Sequence, residues 1–319
     1  MSEVSDGGVG GTTPGGTSLR AMLAEARGGA LLFGITPPRL SASPEQVREI
    51  AAVTLARLAA LDLDGLSLYD IDDESDRNPV QRPFPYLPTM DPAVFEARHL
   101  GEWRRPVVVY RCVGKYPEAE LRNWLRSADA SRTLAVFVGA SSGHKAVHTT
   151  LSRAQALHLE IRPDLLAGGV AIAERRDEYL RLIAKQQRGC AFFISQVTYS
   201  SDAARSMVSD YFYACRELGL TPRPVLFTLS VCGSVKTLAF LKWLGVDVPR
   251  WLENELRNAA DTLAESSAHC LANARELIAF CRRLGVPFGF TVESVSIRRA
   301  EIEASVALAG ELRGLIPEG

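Results

Sequence analysis

A closed (β/α)8 barrel of the TIM type, with one extra helical segment before the last strand, is the architecture this chain predicts. From Gly29 onward, short apolar runs alternate with helical patterns, and each run is bounded by glycine, proline or a polar cluster. Runs of that kind are what strands buried on both faces look like. Strict alternation implies parallel strands joined by right-handed crossovers, and a count of eight favours closure over an open sheet.

In chain order, strands are expected at Ala30–Ile35, Gly65–Tyr69, Pro106–Cys112, Thr133–Gly139, Gly168–Ala173, Cys190–Gln196, Pro224–Leu229 and Pro287–Val292. The sixth is the clearest: Cys190-Ala-Phe-Phe-Ile-Ser-Gln196 lies between Gly189 and the cluster Ser200-Ser-Asp202, and it ends on an amide able to donate and accept hydrogen bonds. Helical patterns fall between the strands, as in Pro44–Leu61, where Ile50, Val53, Leu55, Leu58 and Leu61 recur at three- and four-residue spacing. The extra segment is Trp251–Ala268. Residues 1–26 read as a Gly-rich tail and lead-in, disordered over Ser2–Thr17, and residues 27–319 as a single barrel domain.

Composition removes several classes of function. The 319 residues are 47% hydrophobic and 23% charged, ordinary for a globular chain. Lys+Arg 36 against Asp+Glu 37 leaves a net charge of −1 with no basic block, so nucleic acid is not an expected partner. No apolar run is long enough for a bilayer and the N-terminal stretch lacks a basic-then-apolar signal, so a cytoplasmic protein without a membrane partner is expected. The six cysteines are scattered without a C-x-x-C pair and are expected as reduced, packed thiols. His144 and His148 have helical ligand spacing but lie in a Ser/Gly-rich loop with no partner motif, so no metal is assigned. Helix faces leave a monomer and a homo-oligomer equally open.

In a parallel barrel the site forms at the C-terminal ends of the strands. The polar residues there are the candidates. Asp70, Asp72, Glu174 and Glu293 are the candidate catalytic carboxylates; crowding of Asp70, Asp72, Asp73 and Glu74 could raise one of them into acid-catalyst range, the alternatives being a solvated loop paired with Arg77 and Arg82, or a divalent-metal loop. Glu174 could equally serve backbone N–H groups at a helix start. Tyr69, Arg82, Tyr110, Arg111, Ser141, Gln196, Tyr199 and Thr228 are the candidate substrate-binding residues. Arg82-Pro-Phe-Pro-Tyr86 places a guanidinium and two aromatics on a stiff turn suited to an acidic or flat ligand, or to lid packing.

Four segments in order carry a family resemblance. They are Leu32-Phe-Gly-Ile-Thr-Pro-Pro38, Phe192-Phe-Ile-Ser-Gln196, Arg223-Pro-Val-Leu-Phe-Thr-Leu-Ser230 and Leu241-Lys-Trp-Leu-Gly-Val-Asp-Val-Pro-Arg-Trp251. Together they resemble the methylenetetrahydrofolate reductase family over about Leu31 to Leu312. The resemblance implies a tetrahydrofolate derivative as substrate, NAD(P)H as the hydride source, and Gln196 as a reader of the pterin edge. The departures are equally specific. The family's first-strand acid aligns with Gly34, its Leu-Arg-Gly-Asp motif with Phe137-Val-Gly-Ala140, and its flavin-contacting Gly-Ala-Gly-Gly loop with Asp70-Ile-Asp-Asp-Glu-Ser-Asp-Arg77. Both flavin-supporting motifs are thus lost, which leaves FAD open between two routes: direct hydride transfer from NAD(P)H, as resemblance to the family's flavin-free branch implies, or a reshaped flavin site. Lyase or transferase chemistry on a folate, and non-catalytic folate binding, are the competing readings.

Overall fold

The computed structural model describes residues 18–75, 79–139 and 146–316. Among them the chain order is α1 (Leu19–Ala24), β1 (Ala30–Ile35), α2 (Pro44–Leu58), β2 (Gly65–Leu68), α3 (Pro92–His99), β3 (Val107–Cys112), α4 (Glu118–Ser127), β4 (Thr133–Val138), α5 (Leu151–Ile161), β5 (Ala167–Ala171), α6 (Glu178–Gln187), β6 (Cys190–Val197), α7 (Ser201–Glu217), β7 (Val225–Ser230), α8 (Val235–Trp243), α9 (Arg250–Asn258), α10 (Thr262–Leu284), β8 (Phe288–Glu293) and α11 (Arg299–Leu315). The eight strands are parallel to their neighbours and close into a barrel, β8 pairing back onto β1. The TIM (β/α)8 prediction holds, and the expected strands recur within a few residues of their observed ends.

The helices start where the sequence supplies side-chain acceptors for the first-turn N–H groups. Ser43 and Gln46 form a reciprocal capping box at α2, with Pro44 at the first helical position. Asp91 accepts from the N–H groups of Ala93 and Val94 at α3. The extra segment expected at Trp251–Ala268 is two helices rather than one. α9 ends at Asn258, and Asp261 caps the start of α10, which runs on to Leu284. The break falls at the capping residue, which accepts from Leu263 and Ala264.

Two apolar clusters reveal which strand positions face inward. Ala30, Leu32, Val108, Tyr110, Leu134, Val136, Phe192, Ile194 and Leu226 pack together inside the barrel. Leu31, Phe33, Leu66, Leu68, Val107, Val109, Phe193, Val225, Phe227, Phe290 and Val292 pack against the helices. Side chains alternate along a strand, so Gly34, Ser67, Tyr69, Gln196, Thr228, Ser230, Thr291 and Glu293 have the inward parity.

α1, in the stretch read as lead-in, packs into the barrel. Leu19 and Leu23 of α1 are buried in the interior cluster, each burial stabilising by roughly 1.5–3 kcal/mol. A Cβ at Gly65 would lie 2.8 Å from Leu19 Cδ2 and 2.7 Å from the Pro106 carbonyl oxygen, so the plug fits only against a bare backbone. Arg20 fixes its orientation by donating to the carbonyl oxygens of Ala130 and Asp164 at 2.7 and 2.6 Å. Ser2–Thr17 lie outside the described residues.

Candidate functional site

At the open end of the barrel, β8 and β1 set the centre of the site. Gly34 and Glu293 are register partners. A Cβ at Gly34 would approach the Tyr69 ring at 2.7 Å and its hydroxyl oxygen at 2.8 Å, with Glu293 Cβ at 3.1 Å. The missing side chain is the space that Tyr69 and Glu293 share. The Tyr69 ring packs at 4.8 Å against that of Tyr110, and the Tyr69 phenol and the Glu293 carboxyl lie near enough to influence each other electrostatically. Burial pushes the Glu293 carboxyl up to about 7, against the smaller opposing effect of the nearby Tyr69 hydroxyl. The same burial, with the Glu293 charge beside them, lifts both phenols well above their ordinary range. The cluster therefore holds one proton that can be exchanged near neutrality.

The other candidate carboxylates have different surroundings. Asp70 is buried at the end of β2 and accepts from the Cys112 N–H at 2.7 Å, Lys115 Nζ at 2.6 Å and the Tyr116 hydroxyl at 2.9 Å. Three donors on one carboxylate tie β2 to β3 and hold it as an ion-pair partner. Asp72 stands in the following loop, half-buried, and accepts from the Asp73 N–H at 2.8 Å. Glu174 follows β5; its Oε1 is buried without a hydrogen-bond partner among the described residues. Burial, with the Asp247 charge adding to it, raises the Glu174 carboxyl. Among the described residues no group of three or more His, Cys, Asp or Glu side chains is placed to hold a metal.

The candidate binding residues divide by strand parity. Tyr110 faces the interior, whereas its neighbour Arg111 faces the helix layer. There it contacts both Asp91 oxygens at 2.8 and 2.7 Å and stacks over Tyr116 at 3.9 Å. Tyr199 is likewise behind the wall: its hydroxyl donates to the Ser230 carbonyl at 2.8 Å and its ring stacks on His269. Thr228 serves the β6–β7 seam. One extra residue on β6 separates the pairs Ile194↔Leu226 and Val197↔Thr228. Ser195 Oγ fills the gap by accepting from the Thr228 N–H at 2.8 Å, while the Thr228 hydroxyl donates to the Ser195 carbonyl at 2.6 Å. Gln196 sits on this bulge, half-buried, with Nε2 donating to the Leu244 carbonyl at 2.9 Å. Ser141 falls outside the described residues, as do Arg77 and His144.

Arg82 belongs to a loop that leaves β2 and reaches α8, which follows β7. Trp243 Nε1 donates to the Val80 carbonyl at 2.8 Å, and Phe84 meets Phe240 edge-on at 5.2 Å. The Arg82 guanidinium lies over the rings of Trp243, Phe240 and Tyr86 at 5.2, 5.3 and 5.6 Å. The loop returns to β1 through an antiparallel bridge between Arg39 and Thr89. Lys115, Phe240 and Asp247, which complete these arrangements, were not singled out from sequence; each is a neighbour only through the fold, with no local pattern to mark it.

No protein-family profile and no curated protein matches the chain. Solved structures do. A protein from Clostridium thermocellum, itself uncharacterized and described as binding two copies of 5-methyl-5,6,7,8-tetrahydrofolic acid, is 40% identical with a TM-score of 0.83, over 93% of this chain and 99% of its own. The FMN complex of the oxygenating constituent of 3,6-diketocamphane monooxygenase from Pseudomonas putida is 11% identical with a TM-score of 0.54, over 92% and 99%. An endoxylanase from a sugarcane soil metagenome is 8% identical with a TM-score of 0.50, over 92% and 100%. The latter two share the barrel alone.

Proposed function

Because the chain belongs to the same family as the Clostridium thermocellum 5-methyltetrahydrofolate-binding protein, we propose that it binds a reduced folate at the C-terminal mouth of its barrel and reduces a one-carbon unit carried on that folate. The observation that carries the binding reading is the 40% identity over nearly the whole of both chains. The observation that supports the chemistry is the Glu293–Tyr69 cluster, an acid poised near neutrality at the strand ends.

Reduction of a methylene bridge between two nitrogens to a methyl group needs a proton and a hydride. In this reading Glu293 gives its proton to the departing nitrogen as that nitrogen's bond to the methylene carbon breaks. The iminium carbon then accepts hydride from reduced nicotinamide, leaving methyl-folate and NAD(P)+. Glu293 regains its proton from water. Tyr69 flanks the carboxyl across the space left by Gly34, and Tyr110 supplies an aromatic wall. Asp70 is left to structure because its oxygens are engaged by three donors. No step runs through FAD, because the glycine loop that meets the flavin in the family is replaced here by Asp70-Ile-Asp-Asp-Glu-Ser-Asp-Arg77.

The deciding experiment is calorimetric titration with 5-methyltetrahydrofolate, paired with methylenetetrahydrofolate-dependent loss of NADH or NADPH absorbance and an absorption spectrum for flavin. Tight binding with nicotinamide oxidation and no flavin bands is expected. Binding without turnover would leave a folate-binding protein, and absence of binding would end the reading.

A further inference from the structure

Beside and beneath Glu293, on the inner wall of the barrel, stand two buried hydroxyls that the reaction just described does not use. Ser230 of β7 is the register partner of Glu293, and Thr291 precedes it by two residues on β8, on the same inward face. Both residues are fully buried, and neither hydroxyl has a hydrogen-bond partner among the described residues. Thr228, the register partner of Thr291, does not serve it, because its own hydroxyl donates to the Ser195 carbonyl.

A buried hydroxyl without a partner is uncommon, because it forfeits the hydrogen bonds it made to water. Two of them next to one carboxyl call for a common acceptor. Neighbouring strands lie about 4.8 Å apart, within the reach of a glutamate side chain turning about its own bonds. The protonated carboxyl carries no charge, whereas the carboxylate left after proton transfer has lone pairs to fill and, in a buried place, needs donors. The titratable groups facing it are the phenols of Tyr69 on β2 and Tyr110 on β3, both uncharged in ordinary solution. β1 contributes Gly34 alone, and Ser305 of α11 donates to the backbone carbonyls of Glu293 and Glu301 at 3.2 and 2.9 Å. The nearby cations are engaged elsewhere, Arg111 by Asp91 and Lys115 by Asp70.

We infer that Ser230 and Thr291 are positioning residues that receive the Glu293 carboxylate once its proton has gone to the substrate nitrogen. The O–H bond of the acid breaks as the N–H bond of the departing nitrogen forms; the carboxylate then turns from the mouth to the two hydroxyls, which donate to it. This withdraws the base from the new amine, so the proton does not return. A proton from water restores the neutral acid and sends it back to the mouth. The inference rests on the reductase reading and deepens it by giving the acid a second station. Ser67 of β2 is a comparison within the same barrel. Its hydroxyl is likewise buried and without a partner among the described residues, but it stands on the far side of Gly34, against whose Cα the Tyr69 ring lies.

The test follows the Glu293 carboxyl directly, by infrared difference spectra of the full chain against pH, with the acid band assigned by its loss in Glu293→Gln. Ser230→Ala and Thr291→Val each remove one donor, and each is expected to raise the midpoint by about one pH unit, a roughly tenfold weaker acid. Thr291→Ser, which keeps the hydroxyl, and Ser67→Ala should leave the midpoint in place. In turnover, the alkaline limb of the rate profile should move up with the midpoint, and kcat should fall roughly tenfold at unchanged KM for methylenetetrahydrofolate. In acid, where the carboxyl is protonated, Thr291→Val should melt no lower than the native chain, since a methyl of the same shape replaces an unsatisfied hydroxyl. Unmoved midpoints in Ser230→Ala and Thr291→Val overturn the inference, as does an equal shift in Ser67→Ala, which would make the effect one of burial in general. The infrared midpoint needs no turnover, so the two readings fail separately: midpoints that move as expected in a chain that oxidises no nicotinamide keep the hydroxyls as the station of the carboxylate and remove the reductase reading.

Discussion

Gly34 on β1 and Glu293 on β8 face each other across a ladder pair, and a carbon on the first would stand 3.1 Å from the Cβ of the second. The glycine is therefore a spatial requirement of the carboxylate. Gly34→Ala must push aside the Tyr69 ring, and it is expected to destabilise the fold by about 1–3 kcal/mol while moving the Tyr69 hydroxyl relative to Glu293. Urea denaturation of Gly34→Ala beside Tyr69→Phe separates the two effects: the glycine variant should be the less stable.

Glu293 gives stability a pH dependence with a definite sign. Burial raises its carboxyl from an ordinary 4.5 to about 7, so between those values the folded chain holds a proton that the unfolded chain has released. That contribution is complete below the unfolded value and is lost as pH rises through the folded one. Glu293→Gln keeps the shape without the titration. It should match the native protein in acid and exceed it above neutrality by up to about 3 kcal/mol. A pH series of urea melts checks this, and parallel curves for the two proteins would contradict it.

If Glu293 is the proton donor, the reductase activity should fall as pH rises through 7 and be flat and roughly 10²–10⁴-fold lower in Glu293→Gln, with 5-methyltetrahydrofolate affinity retained. Rate profiles with pH and a binding titration of the variant decide it.

Asp70 should behave as structure. Asp70→Asn removes the partner of Lys115 and weakens the bonds to Cys112 and Tyr116, for an expected loss of about 2–4 kcal/mol. Asp72→Asn, in the half-buried loop, should cost no more than about 0.5 kcal/mol. Equal melting temperatures for the two variants would refute the distinction.

The loop from β2 is fastened to α8 by the Trp243 indole and the Val80 carbonyl. Trp243→Phe keeps the ring beneath Arg82 and removes that donor. Faster amide exchange over residues 79–90 is expected, with a stability loss of roughly 0.5–1.5 kcal/mol. Exchange unchanged in that loop would show that the stack alone holds it.

The barrel was legible because its information is local. Phe192-Phe-Ile-Ser-Gln196 is apolar enough to be buried on both faces, and Ser43 or Asp261 start helices with their own side chains. Even the strand ends that rim the site could be read in order. What the sequence by itself determined is thus the series of elements, their closure, and a pool of polar residues at one end. Which of two adjacent polar residues faces the mouth was decided by the pleat and the register: Tyr110 goes in and Arg111 out, Tyr69 in and Asp70 out, Gln196 toward the mouth and Tyr199 into the wall. Partners distant in the chain are decided by tertiary structure as well, since Gly34 meets Glu293 only when the last strand closes on the first. Burial is a property of that closure, and burial is what turns an ordinary glutamate into one that titrates near neutrality.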